Sequence, residues 1–123
     1  MAVLSAAMMC LALNIYREAG NEPFHGKLAV ALVTVNRSKK RHQSLCEVVY
    51  SKNQFSWTSS RHSAANTLSR AWKDSVLAAH ISFKVRDFTK GATYFHEQRV
   101  SPKWATTVRF VGLWGRHKFY REG

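Results

Sequence analysis

Leu4, Met8, Leu11, Ile15 and Glu18 recur at intervals of four, three, four and three. That spacing sets them along one face of an α-helix. Four are apolar and must be covered by the rest of the chain. The fifth is a carboxylic acid on the same face, just ahead of the helix-breaking Gly20-Asn21-Glu22-Pro23. A carboxylate on a buried stripe is costly unless the protein uses it. Partial desolvation raises a carboxyl pKa, as a proton donor working near neutral pH requires. The plainer reading of one Glu in a last helical turn is a surface residue. The stripe position argues instead for an acid at the edge of the core.

The rest of the pattern suits an α+β domain. A chain of 123 residues supports a single catalytic domain, 1–123, with one core. Residues 1–13 are apolar, but no Lys or Arg precedes them and they run in helical phase into Glu18, so they read as part of the fold and not as a signal peptide. No apolar run is long enough to span a bilayer. The first helix is expected over 5–19. A second opens at Pro23, carries Leu28, Ala29, Leu32, Val33 and Val35, and ends near Asn36-Arg37. It is apolar around most of its girth and so belongs at the centre. A basic loop follows over 38–43, and Ser44-Leu45-Cys46-Glu47 is a capping box opening a short helix. Residues 53–58 read as a turn or short extended segment, and 64–81 as a third long helix. Beyond Asp87 the aromatic and β-branched Gly91-Ala92-Thr93-Tyr94-Phe95-His96 reads as a strand, with two more over 108–113 and 117–120 joined near Gly115. The expected architecture is a mainly helical body with a small antiparallel sheet in the C-terminal third.

Cys10 and Cys46 lie among apolar neighbours and read as reduced, buried thiols, with a disulfide as the alternative. The net charge of +12, from 19 basic and 7 acidic residues, calls for an anionic partner, either nucleic acid or a cell envelope. The six histidines are dispersed without a His-Glu-x-x-His or His-x-x-x-His pair, so no catalytic zinc is expected. There is no phosphate loop or Gly-x-Ser-x-Gly elbow, and no cofactor is expected.

An ordered set of segments carries a more specific signal. Ile15-Tyr16-Arg17-Glu18-Ala19-Gly20-Asn21-Glu22-Pro23, then Gly26-Lys27-Leu28-Ala29-Val30-Ala31 and Val35-Asn36-Arg37, resembles the SleB/CwlJ-type cell wall hydrolase family. Gln54-Phe55-Ser56-Trp57 is similar to that family's Gln-Phe-Ser segment. The strand 91–96, Pro102-Lys103-Trp104 and Gly115-Arg116-His117-Lys118-Phe119-Tyr120 resemble its three C-terminal blocks. The one departure is Gly20-Asn21 where the family carries Arg-Gly after Glu-Ala. The resemblance implies a lysozyme-like fold and peptidoglycan glycan strands as substrate. It makes Glu18 the general acid, protonating the bridging oxygen after N-acetylmuramic acid. In a lytic transglycosylase Glu18 then takes the proton of that sugar's own 6-hydroxyl; a muramidase uses water instead. A small single-domain member of this kind looks like a phage-type endolysin or virion-associated lysin, held in the host cytoplasm or virion before it reaches the wall, with a bacterial enzyme of cell-wall remodelling as the alternative; its charge would hold it near the anionic envelope, and a monomer is the default expectation.

Two-carboxylate glycosidases need a second acid across the bond. Glu22, Glu47, Asp74, Asp87 and Glu97 are the candidates. Glu47 fits a cap, and Glu22 fits a cap of the second helix better than a nucleophile. Its closeness to Glu18 would raise one of the two pKa values by like-charge repulsion. A single-acid transglycosylase needs none of them, which favours that route. Sugar rings pack on aromatic faces and are oriented by a few polar groups. Tyr94 and His96, on one face of the first strand, are therefore carried as substrate-binding residues, with core packing as the alternative. Gln54, Ser56 and Glu22 join them, with turn formation the alternative for Gln54 and Ser56. Phe55, Trp104, Phe119 and Tyr120 read as core, and Asn36 as a partner for backbone groups. The competing class is a basic nucleic-acid-binding module, suggested by aromatics among Lys and Arg over 114–120. It lacks any RNA-recognition, zinc-finger or helix-turn-helix signature, so no specific nucleic acid is expected. A glycan-binding relative without activity ranks last, since the acid is present.

Overall fold

The computed structural model describes residues 4–51, 55–59 and 63–123. Helix α1, Ala6–Ala19, begins where the Ser5 side chain accepts from the Met8 N–H at 3.2 Å. Its stripe is largely buried, with Leu11 and Ile15 fully covered. Helix α2, Phe24–Arg41, is the central element, with every residue from Ala29 to Val35 buried. It runs about a turn beyond the expected end: the 38–41 stretch stays helical, and His42 closes it in the left-handed region at φ 53°. Three basic residues in that last turn suit the negative end of the helix dipole. Helix α3, Leu45–Tyr50, opens with the expected capping box. A 3₁₀ turn covers Ser56–Ser59, where a turn or extended segment was expected. Helix α4, Arg70–Ser82, starts later than the expected 64, because Ser69 caps it by accepting from the Trp72 N–H at 3.1 Å.

The two thiols are not reduced. Cys10 and Cys46 form a disulfide that ties α1 to α3 across a separation of 36 residues. Sequence neighbours showed only that both cysteines sit on apolar helix faces. Those faces meet, with the two Cα atoms 5.2 Å apart.

Strands β1 (Tyr94–Glu97), β2 (Arg109–Trp114) and β3 (His117–Arg121) form an antiparallel sheet in the order β1-β3-β2. The α+β expectation of a helical body with a small C-terminal sheet holds. One core cluster lies among the helices around Leu11, Ile15, Val35 and Trp72. A second lies between α2 and the sheet, around Val30, Val33 and Phe119. Because α2 packs on both sides, the end of α1 comes to rest against the sheet.

Candidate active site

Glu18 occupies the last turn of α1, at the seam between the helical body and the sheet. Two cavities of about 560 Å³ each open there, and Glu18, Glu97 and His117 line both. The first runs past Tyr16, Asn21, Glu22, Arg99 and Arg116 and is polar. The second runs past Arg37, Phe55, Ser56, His96 and Trp104 and is rich in rings. Glu18 thus stands at the waist of one open cleft. Burial pushes its pKa up from the ordinary 4.5 to about 7, with the Arg37 charge holding it from rising further. A carboxyl that keeps its proton near neutral pH can donate it.

Glu22, four residues on, is shifted the opposite way. Burial favours its neutral form, but hydrogen bonds and charge from Arg116 and His117 outweigh that and hold its pKa below 4.5. Its carboxylate accepts from the Arg116 backbone N–H at 2.5 Å and from Arg116 Nε at 2.7 Å, and His117 Nδ1 lies 3.3 Å away. These contacts correct the expected cap: α2 has Pro23 at its N-cap and no side-chain cap bond. Mutual repulsion between Glu18 and Glu22 is not the cause of either shift; desolvation is the cause for Glu18. The clasp needs Gly115, whose φ is 61° and whose added Cβ would stand 2.5 Å from Glu22 Oε1. His117 is pushed below its ordinary pKa by burial, against the pull of Glu22, which leaves it neutral at neutral pH.

The other sequence candidates divide. His96 lines the ring-rich half; its Nε2 pairs with the Tyr120 hydroxyl and its Nδ1 with the Glu97 carbonyl, each at 2.8 Å. Ser56 lines the same half and is exposed. Tyr94 stands behind the wall: its hydroxyl donates to Glu122 at 2.9 Å and its ring packs on Trp104 at 5.5 Å. Gln54 lies outside the described residues. Among the remaining acids, Glu47 caps α3, and Asp87 accepts from Thr89, Gly91 and Asn36. Asn36 also donates to the Ala92 carbonyl, the backbone role expected of it. Glu97, on the cleft wall, is paired with Arg99 at 3.1 Å. Among the described residues no group of three His, Cys, Asp or Glu could hold a metal ion, and no helix is long and apolar enough to cross a membrane.

Several cleft-lining residues were not marked in the sequence, His117, Trp104 and Arg37 among them. Trp104 reads as core in sequence, yet it is 37% exposed and lines the cleft, propped by Tyr94, His96 and Tyr120 at 5.5 Å each. The Pro102-Lys103-Trp104 interruption between strands, a loop feature, was the available signal. Arg37 reads only as a helix end, yet it is buried in the cleft wall.

A half-buried acid whose pKa is raised to about 7, at the middle of a cleft open on both sides, is the arrangement that general-acid cleavage of an extended polymer would need. The chain belongs to the cell wall hydrolase family, whose model matches residues 21–120. The matched stretch begins just past Glu18. Solved structures extend the likeness over that helix. The chain is similar to the catalytic domain of the germination-specific lytic transglycosylase SleB from Bacillus anthracis, with a TM-score of 0.79, 21% identity and 98% of each chain covered. It is also similar to the catalytic domain of the Bacillus cereus SleB protein, with a TM-score of 0.75, 22% identity, and 98% of this chain and 94% of that one covered. At these identities the likeness is one of fold. No curated protein matches the chain.

Proposed function

We propose that the enzyme cleaves the glycan strand of peptidoglycan as a lytic transglycosylase, with Glu18 as its acid and then its base. The observation that carries this is the position of Glu18 where the two halves of the cleft meet, with room for sugars on either side of the bond. Glu18 gives its proton to the bridging oxygen as the C1–O bond breaks. The muramoyl 6-hydroxyl oxygen then closes on C1, and its proton returns to Glu18. The acid is restored and a 1,6-anhydro end is formed. Trp104 offers a ring face for a sugar, and Ser56 a hydroxyl for its polar substituents.

The commitment of Glu22 to Arg116 and His117 supports the single-acid route. A muramidase reading has one observation in its favour: Glu97 lines both halves of the cleft beside Glu18 and could direct a water. The net charge of +12 supports a bacteriolytic role at an anionic envelope, of the endolysin or virion-associated kind. Mass spectrometry of products from purified peptidoglycan decides among these readings. Anhydro-muropeptides from the wild type and none from Glu18→Gln are expected. Reducing ends would mean a muramidase. Equal cleavage by both proteins would remove Glu18 from the reaction.

A further inference from the structure

Several charged or titratable groups share the cleft with Glu18, and most have a partner of their own, although Arg17 Nε and His117 Nδ1 are buried without a hydrogen bond. From α1, Arg17 donates to the Ser63 carbonyl. From the β2–β3 turn, Arg116 pairs with Glu22, and His117 sits beside it on β3. From β1 and its exit, Glu97 pairs with Arg99, and both ring nitrogens of His96 are engaged.

Arg37, from α2, is the most deeply buried of the arginines that line the cleft. It is 6% exposed, and its Nε donates to the Thr93 carbonyl at 2.6 Å. Its guanidinium lies over the Phe55 ring at 5.0 Å and the Tyr94 ring at 5.9 Å. Those contacts fix its plane, yet Nη1 is buried without a hydrogen-bond partner, and among the described residues Arg37 forms no ion pair. A buried cation with a spare donor is costly, and such a group calls for an explanation. It lines the same half of the cleft as Glu18.

We propose that Arg37 is a positioning residue for Glu18: its spare Nη1 is held for the carboxylate that exists only after Glu18 has given up its proton. This rests on the reading of Glu18 as the acid. While it holds its proton, Glu18 is neutral and asks nothing of the cation. Once the proton moves to the leaving oxygen, a negative charge appears in a partly desolvated site, and a fixed positive group stabilises it without reorganisation. The return of the proton from the 6-hydroxyl ends the interaction. The charges act in the same sense: Arg37 lowers the Glu18 pKa, while burial and the Arg41 charge push the Arg37 pKa down against the smaller opposing effects of Tyr94 and Glu18.

The test is the pH dependence of kcat on soluble glycan strands for wild type, Arg37→Gln and Arg37→Lys. Glu18 must be protonated to act, so activity falls as pH rises through its pKa. Removing the cation lets Glu18 hold its proton longer. The alkaline limb of Arg37→Gln should therefore move up by about one pH unit. Its low-pH plateau should fall about tenfold or more, because the carboxylate formed is less stable. Arg37→Lys keeps the charge and should keep the limb near the wild-type position. A general packing defect would lower the plateau and leave the limb where it was, and a substrate-binding role would raise KM alone; either result overturns the proposal. If Arg37→Gln does not fold, NMR of the guanidinium Nε–H resonance of Arg37 decides. It should titrate with the Glu18 midpoint in wild type and not in Glu18→Gln, and a resonance indifferent to Glu18 overturns the proposal. Absence of glycan cleavage by wild type would remove the functional reading, and the NMR titration would still decide the coupling.

Discussion

Replacing Glu18 by Gln should stabilise the fold, and only at high pH. In the unfolded chain the Glu18 carboxyl titrates near the ordinary 4.5; in the folded protein burial raises it to about 7. Between those values the folded state keeps a proton that the unfolded state has lost, so stability falls as pH rises through this window. Below it both states are protonated and Glu18 contributes no penalty. Above it the full cost of an ionised carboxylate in the cleft wall applies. The gap between the two values corresponds to about 3 kcal/mol. Gln has a similar shape and no proton to lose. Urea unfolding of wild type and Glu18→Gln should therefore coincide near pH 4 and separate as pH rises. By pH 8 the variant should lead by up to about 3 kcal/mol, roughly 10 °C in Tm for a domain of this size. A difference that does not change with pH would refute the desolvation argument. So would a variant less stable than wild type at pH 8.

Two further substitutions test the frame around the site. Gly115→Ala should lower stability by about 2–4 kcal/mol, because a side chain is strained at φ 61° and its Cβ would press on Glu22 Oε1; in a Glu22→Ala background the added cost should drop to the backbone strain alone, read by thermal melts of the double-mutant cycle. Reduction of Cys10–Cys46 should cost about 4 kcal/mol by the chain-entropy estimate for a loop of this length. A reductant-dependent fall in Tm, absent from the Cys10→Ser/Cys46→Ser double variant, is the expected result.

Local signals carried much of this fold. The Leu11–Ile15 stripe, the Ser44/Glu47 capping box and the apolar run of α2 each act within a turn or two of the chain, and each reappears in the structure. Errors arose where a local rule had two solutions or where the partner was distant. Ser69 was as good a cap as any residue upstream, and it sets the start of α4. The basic residues 38–41 read as loop from charge, yet a helix C-terminus accepts them. Cys46 lies 36 residues from Cys10, and Arg116 lies 94 from Glu22, so neither partnership has a local mark. Within the site, the stripe pointed to Glu18. The period-2 alternation of β1 put Tyr94 and His96 on one face, but it could not show that Trp104 would lie against both and take the cleft position in front of Tyr94.

The opposite pKa shifts of Glu18 and Glu22 show how one short turn serves two purposes. Both carboxyls lie near the α1–α2 turn, and burial disfavours the charged form of each. They differ in what faces them. Glu22 meets the β2–β3 turn, where a backbone N–H and the Arg116 guanidinium converge on it, so it stays ionised and pins the sheet to the helical body. Lys27 reinforces the same turn by donating to the Glu22 carbonyl at 2.5 Å. Glu18 meets no such partners, with only the Arg37 charge opposing its burial, so it holds its proton up to about pH 7. The ionised acid thus holds together the wall on which the neutral acid stands. Exchanging their environments would cost both functions. A neutral Glu22 would loosen the clasp, and a Glu18 with its own ion pair would ionise at lower pH, which on the proposed mechanism removes the proton it gives to the substrate.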